Sequence, residues 1–480
     1  MMANPHRSLR VLAVAAAGAF LLSATACTAT DTATEATPTR TASDTPTPSP
    51  QPQPQPTSLP VPTLAAFTPP IAFAESGSLL LLPSDFTPNT RGTVADAPVA
   101  LAGTSLFVTG TAVARIDVES GRALWQDDLS DLRGESAATP TKPVVTADGT
   151  TVWVAMAVAS VSAAEQTEGD PAHAPAVVVP GAEATPDLTE PTADPEPSAA
   201  ADDPGVVLIG YNAVTGDRRT LATAVPSASA ASVLDQRVSL DQLSDGSLLV
   251  GLSPRGGGVS WTWSVDADGA TRWAQDGKFA GEAGDVVIMR LSGLAGEPYP
   301  QVGGLDRATG KILWNRAGED EAATDAWAFP VGAETALTTV SYATTRTVTR
   351  MIDPRTGQDL GGAASTVERP LLQGGRLYDA QSGFRSLDPA TLSTEWTRRS
   401  AGYGSVRGVV LAQGLVYGVD SADQGIILDP ESGERIADEL AWEWLAVNEY
   451  GAVVVNTAGT VSAADDTYWF HPAVAPPAEG

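Results

Sequence analysis

From about Ile71 onward the chain is a series of short apolar runs separated by Gly-, Asp- and Pro-rich turns. The runs include Ser105–Thr109 (SLFVT), Thr151–Val158 (TVWVAMAV), Ser247–Leu252 (SLLVGL), Asp285–Leu291 (DVVIMRL), Arg376–Ala380 (RLYDA), Leu415–Val419 (LVYGV) and Ala452–Asn456 (AVVVN). Nothing in this part carries a sustained 3.6-residue period. Runs of this length with turn residues at regular spacing predict an all-β protein.

A second pattern overlies the first. Arg115–Trp125 reads RIDVESGRALW and Gly304–Trp314 reads GLDRATGKILW. Looser copies occupy Gly210–Gly216, Val265–Trp273, Met351–Gly357, Ser386–Trp396 and Ile427–Gly433. Their Asp or Asn positions are Asp117, Asn212, Asp266, Asp306, Asp353, Asp388 and Asp429, in steps of 95, 54, 40, 47, 35 and 41. A recurrence near 40 residues predicts a propeller or a solenoid. Four strands can be placed around each copy; for the seventh they are Gly408–Gln413, Leu415–Val419, Gly425–Asp429 and Glu434–Asp438. Four antiparallel strands per unit make a propeller blade. The D-x-x-[ST]-G element is then the turn from third to fourth strand. Its Asp folds back onto backbone N–H groups, and Gly121, Gly216, Gly310, Gly357 and Gly433 take the positive-φ position. Trp125, Trp314 and Trp396 follow their Asp by eight residues. They fall on the outer strand, where each can pack against the neighbouring blade.

These units resemble the quinoprotein-type, or PQQ-like, β-propeller repeat over about residues 85–470. The resemblance implies a single propeller. Three more strands follow the seventh copy without another D-x-x-T-G, and Ser78–Leu82 could supply a missing outer strand. Eight blades closed by both chain ends is therefore the preferred count, with seven the alternative. The resemblance also raises a PQQ-dependent dehydrogenase, whose members carry a vicinal disulfide, a Trp beneath the quinone, a calcium held by Glu and Asn, and a catalytic Asp. Cys27 is the only cysteine, so that disulfide cannot form. No Glu/Asn/Asp cluster can be matched residue by residue. For Trp261, Trp263, Trp442 and Trp444, core or blade packing is the simpler reading.

The ends and one insertion lie outside this pattern. Residues 1–27 have a basic start, the apolar core Val11–Leu22 and small residues before Cys27. That is a secretory signal pattern. It resembles a bacterial lipoprotein signal, of the kind seen in actinobacterial secreted lipoproteins, which implies lipidation of Cys27. Residues 28–70 hold eleven prolines among Thr, Ser, Ala and Gln and read as an extended, disordered tether. The folded part, 71–480, is interrupted at 161–204 by ten Asp/Glu, eight Pro and no Lys or Arg. This insertion reads as disordered, on the face opposite the D-x-x-T-G turns.

Charge and composition narrow the function. The formal net charge of −29 disfavours nucleic acid and anionic lipid as partners. Three histidines leave little scope for Ser–His–Asp chemistry or His-ligated zinc. Asp266 with Asp268, and Asp420 with Asp423, lack the spaced Glu of a calcium loop and read as turns. Gly256–Gly258 lacks a following Lys-Ser/Thr and reads as a hairpin turn. No catalytic, cofactor-binding or metal-ligating residue is assigned. The expectation is a monomeric, extracytoplasmic propeller, held to the outer face of a cell membrane by its N-terminal lipid and otherwise secreted. It would act as a non-enzymatic binding or scaffold module for an envelope protein, peptide or glycan, with no cofactor. The outer-membrane assembly lipoprotein with eight PQQ-like blades is similar in fold and role class. The alternative is a PQQ-type dehydrogenase or other propeller enzyme with a site in the central channel.

Overall fold

A computed structural model describes Leu59, residues 62–83, 86, 97–133, 139–159, 204–224, 233–234, 236–254, 260–266, 269–292, 300–316, 323–331, 335–342, 347–362, 367, 370–373, 375–379, 384–398, 406–420, 422–440, 442–456 and 467–476. The signal-type segment with Cys27, the tether up to Ser58 and insertion residues 160–203 lie outside these. The chain divides at Pro54, and all the described residues belong to the second unit.

Among the described residues that unit is built of antiparallel four-stranded blades, eight in all. Blade 1 comprises Val99–Ala102, Ser105–Thr109, Val113–Asp117 and Arg122–Asp127, paired in that order. Blades 2, 5, 6 and 7 repeat the arrangement, starting from Val144–Val145, Ala323–Pro330, Pro370–Gln373 and Arg407–Ala412. Blades 3 and 4 share one long strand, Thr271–Ala283. Its first half is the outer strand of blade 3, paired to Trp261–Val265, and its second half the inner strand of blade 4, paired to Val286–Leu291. Blade 8 takes three strands from the C-terminal end, Glu443–Asn448, Gly451–Asn456 and Thr467–Pro472. Its outer strand is Ser78–Leu80, in register Ser78 with Phe470 and Leu80 with Tyr468. The two chain ends therefore close one sheet, and the count is eight, not seven.

The core is distributed around the ring. One apolar cluster spans each blade interface: Val453 with Leu106 (8/1), Phe107 with Val154 (1/2), Leu208 with Val250 (2/3), and Leu249 with Val287 (3/4). The series continues with Ile288 and Val340 (4/5), Leu337 and Leu377 (5/6), Tyr378 and Val416 (6/7), and Tyr417 and Val454 (7/8). Middle strands are covered on both faces, which is why Ser105–Thr109 and Leu415–Val419 are buried at every position and read as continuous apolar runs. The outer strand Arg122–Asp127 is exposed or half-buried throughout, and half of its residues are polar.

Three features bear on function. In blade 2 the pairing runs from Thr151 with Asn212 to Val158 with Gly205, so the acidic insertion leaves the blade at the end opposite the repeat turn. Packing also begins upstream of Ile71: Leu59, Pro62, Leu64 and Phe67 touch the blades before Ile71 and Phe73 do. Among the described residues no helix is long and apolar enough to cross a membrane.

Candidate functional site

The repeat turns form a crown on one face. In each, the Asp or Asn side chain caps the turn it begins. Asp306 Oδ1 accepts from the Thr309 hydroxyl at 2.7 Å and the Thr309 N–H at 2.9 Å, and the Gly310 N–H returns to the Asp306 carbonyl at 2.8 Å. Asp117, Asn212, Asp353, Asp388 and Asp429 make the corresponding bonds to residues two or three further on. In the shorter third copy, Asp266 accepts from the Ala270 N–H at 2.8 Å. These donors hold the carboxyls of Asp306, Asp353, Asp388 and Asp429 below the usual range: the Thr309 hydroxyl for Asp306, and the N–H groups of Arg355, Ala390 and Ser432 for the others. Asp420 and Asp423 are likewise engaged. Asp420 caps the Ala422 and Gln424 N–H groups and meets Arg435 at 2.6 Å, and Asp423 pairs with Arg407.

At four of the turns the glycine receives the tryptophan of the preceding blade. Trp125 Nε1 donates to the Ala213 carbonyl at 3.2 Å, Trp314 to Pro354 at 2.6 Å and Trp396 to Pro430 at 3.0 Å. In each case the acceptor follows the Asp or Asn of the next turn. The rings lie where a Cβ on Gly216, Gly357 or Gly433 would project, 2.5 to 2.8 Å from ring atoms. Trp273, which the eight-residue spacing passes over, docks in the same way, with Nε1 at 2.8 Å from the Arg307 carbonyl and its ring on Gly310. Its turn is one residue shorter, so it follows Asp266 by seven. A β-bulge beside each of these tryptophans re-aims the outer strand toward the next blade.

Charged side chains reinforce the same interfaces. Asp245, in the first turn of blade 3, accepts from the Ser247 N–H and hydroxyl and from Arg272 at 2.8 Å, with Arg307 of blade 4 at 3.4 Å. Desolvation pushes its carboxyl up, but these hydrogen bonds and the nearby Arg307 charge prevail and hold it at about 2. Arg307 also reaches Glu282 at 2.5 Å. On the inner strands, Lys278 of blade 4 pairs with Asp325 of blade 5 at 2.7 Å, and Arg407 of blade 7 meets Glu443 of blade 8 at 3.1 Å. Asp241, on the inner strand of blade 3, is different. Desolvation raises its carboxyl to about 6, against the partial opposition of the Lys278 charge.

These residues do not fit the quinone and calcium that the repeat's name suggests. The sole cysteine is Cys27, and the four docked tryptophans are held at blade interfaces by their own indole bonds. Among the described residues no three His, Cys, Asp or Glu side chains are grouped to hold a metal.

Residues 263–439, from the third strand of blade 3 to the outer strand of blade 7, match the family described as outer membrane protein assembly factor BamB. No curated protein matches the chain as a sequence relative. Among solved structures, BamB from Moraxella catarrhalis is similar at 13% identity, covering 78% of this chain and 95% of its own, with a TM-score of 0.42. Sqt1 of Saccharomyces cerevisiae is similar at 10% identity, covering 83% and 100%, with a TM-score of 0.46. The quinohemoprotein alcohol dehydrogenase ADHIIG of Pseudomonas putida HK5 is similar at 12% identity, covering 80% and 67%, with a TM-score of 0.34. The recurring turn and the four-stranded blades make the fold a β-propeller, and the family match places PQQ-like repeats over residues 263–439.

Proposed function

We propose that this propeller is an extracytoplasmic binding or scaffold module of a cell envelope, without catalytic activity of its own. The observation that supports this reading is how the repeat uses its polar and aromatic residues. Asp caps its own turn, Gly seats the neighbour's indole, and Trp donates its N–H across the interface. The motif therefore builds the ring and leaves its faces to carry recognition. A lipid on Cys27 and the Pro/Thr-rich tether would hold the ring at the membrane surface, and the partner would be an envelope protein, peptide or glycan.

The test is crosslinking of the full-length chain in the membrane fraction, with palmitate labelling compared between wild type and Cys27→Ala. A specific crosslinked partner, with label lost in the variant, is the expected result. Dye-linked alcohol or sugar oxidation appearing on addition of PQQ with Ca²⁺ would overturn the non-enzymatic reading.

A second reading, an enzyme with its site in the central channel, is favoured by Asp241 alone. A desolvated carboxyl that takes up a proton near neutral pH is a group such chemistry uses. Any activity that survives in Asp241→Asn would remove this support.

A further inference from the structure

The segment before the closing strand follows a defined path across the crown. Leu59 lies against Gly149, in the turn between first and second strands of blade 2. Pro62 lies against Gly103, in the equivalent turn of blade 1, and a Cβ there would meet Pro62 Cγ at 3.3 Å. Both glycines have φ near +60 (67° and 56°), so neither can easily carry a side chain, and each leaves a flat seat. Thr63 donates its hydroxyl to Glu119 at 3.0 Å, and Leu64 packs into the cluster between blades 8 and 1. The Phe67 N–H donates to the Glu449 carbonyl of blade 8 at 2.8 Å. The Pro70 carbonyl accepts from the Tyr417 hydroxyl of blade 7 at 2.9 Å. Beyond it, Phe73 meets the Trp444 ring at 5.4 Å, and Ala72 and Ala74 bond to Val474 and Pro472.

The segment thus crosses the innermost turns of blades 2, 1 and 8 and ends in the interface of blades 7 and 8. Beneath it the successive blades are tied to one another: Asn448 of blade 8 donates to the Gly103 carbonyl of blade 1 at 2.8 Å, and Gln413 of blade 7 to Glu449 of blade 8 at 3.0 Å. The described residues of the strap, Leu59 and 62–70, include two leucines half-buried as anchors and three prolines that limit its freedom before binding. This is how an extended, proline-bearing peptide is held by a groove. Among the described residues of 59–70 the main-chain bonds are those of Phe67 and Pro70, whereas Phe73 onward is bonded to the closing sheet.

We propose that the track across the inner turns of blades 2, 1 and 8 is a peptide-binding site, occupied in cis by Leu59 and residues 62–70. Its partner in trans is an extended apolar, proline-bearing segment of another envelope polypeptide, which binds when the strap lifts. The proposal rests on the binding-module reading and narrows it to one face and one class of ligand. The strap acts as a competitor whose opening sets the apparent affinity, because only the fraction of molecules with the groove open can bind.

Two measurements on the full-length protein test this. In native-state hydrogen exchange, the Phe67 amide should exchange by local opening, about 100-fold or more faster than that of Val453 in the closing sheet. Equal protection of the two would mean the strap leaves only when the ring unfolds, and would overturn the proposal. In the second, a labelled synthetic peptide of residues 58–74 is titrated into wild type and Leu59→Asn/Leu64→Asn, with a scrambled peptide as control. The variant should bind it about tenfold more tightly than wild type. A variant that keeps wild-type Val453 protection yet binds no peptide would overturn it. If the variant does not fold, the exchange comparison on wild type decides alone. A partner crosslinked from envelope while both measurements fail would remove this groove and leave the binding-module reading standing.

Discussion

The indole of Trp314 lies on Gly357 of the next blade, and a Cβ on that glycine would fall 2.5 Å from the Trp314 ring. The same ring donates its N–H to Pro354, so it is held from its edge as well as its face. Gly357 has φ 69°. An alanine there should carry two penalties, the left-handed strain and the displacement of a docked indole. We expect Gly357→Ala to cost about 2–4 kcal/mol. Gly375→Ala separates the terms, since Gly375 has φ 77° and open space around its Cβ position. It should cost only about 1 kcal/mol, from strain alone. Urea midpoints of the two variants give the comparison, and equal losses would show that the docked indole imposes no constraint.

One interface inverts this arrangement. In blade 5 the position that pairs as the tryptophans do is Gly361, opposite Met351 after a bulge. In the following turn the residue at positive φ is Leu392, φ 54°, wholly buried in the cluster between blades 5 and 6. The bulky side chain has moved from the outer strand of one blade to the turn of the next. Leu392→Gly relieves about 1 kcal/mol of strain but opens a cavity that costs about 2–5. A net destabilisation of about 2 kcal/mol is expected. Adding Gly361→Trp should recover at least about half of it, a coupling that a double-mutant cycle reads directly. A double variant no more stable than Leu392→Gly would show that the two positions do not share one space.

Much of this was legible from residues alone. The seven Asp or Asn positions, the positive-φ glycines and three of the docking tryptophans follow from a spacing near 40 and from turn chemistry. Ser78–Leu80 is recognisable as a closing strand because an eighth sheet needs one. Trp273 was hidden by a turn one residue shorter, although its position at the head of the outer strand was a usable signal. The Gly361–Leu392 exchange is not legible in the sequence, because neither residue matches the motif and only the strand register of blade 5 and the backbone of the next turn relate them. From sequence the strap reads as tether: L-P-V-P-T-L is as proline-rich as the linker before it, and composition cannot register that Gly103 and Gly149 offer seats. The charge network around Asp245 and Arg307 joins residues 62 apart, a pairing that exists only once blades 3 and 4 are side by side.

Asp241 gives the fold a specific pH dependence. Its folded carboxyl is raised to about 6, above the ordinary 3.8, because burial penalises the charged form. A raised acid favours the folded state fully below the unfolded value, and that contribution is lost as pH climbs from about 4 through 6. At pH 7.5 the ionised group is therefore a cost. Asp241→Asn should raise stability by about 1–2 kcal/mol at pH 7.5 and by nearly nothing at pH 4. Denaturant melts of both proteins across that range test it, and a gain independent of pH would assign the effect to something other than ionisation. Asp245 runs the opposite way: its folded carboxyl is held at about 2, so its contribution is present above about 4 and fades as pH falls toward 2.

The closing seam carries the sharpest expectation. Gly121, in the first repeat turn at φ 70°, faces no indole; it lies against the backbone of the closing strand, where a Cβ would collide with the Leu79 carbonyl oxygen. The Leu81 N–H donates to the Gly121 carbonyl at 3.0 Å, and the Ser78 hydroxyl to the Glu119 carbonyl at 2.8 Å. An indole facing a new methyl group can tilt within its interface. A strand held by three residue pairs to Tyr468–Phe470 cannot shift without giving up that register. Gly121→Ala should therefore be the most damaging of the turn-glycine substitutions, at about 4 kcal/mol or more. Its damage should also be local in onset. Amide protection should fall first at Leu80 and Phe470, while the outer strand of blade 4 at Trp314 keeps wild-type protection until global unfolding. Uniform loss around the ring would mean that the seam between the chain ends is no weaker than the covalently continuous interfaces.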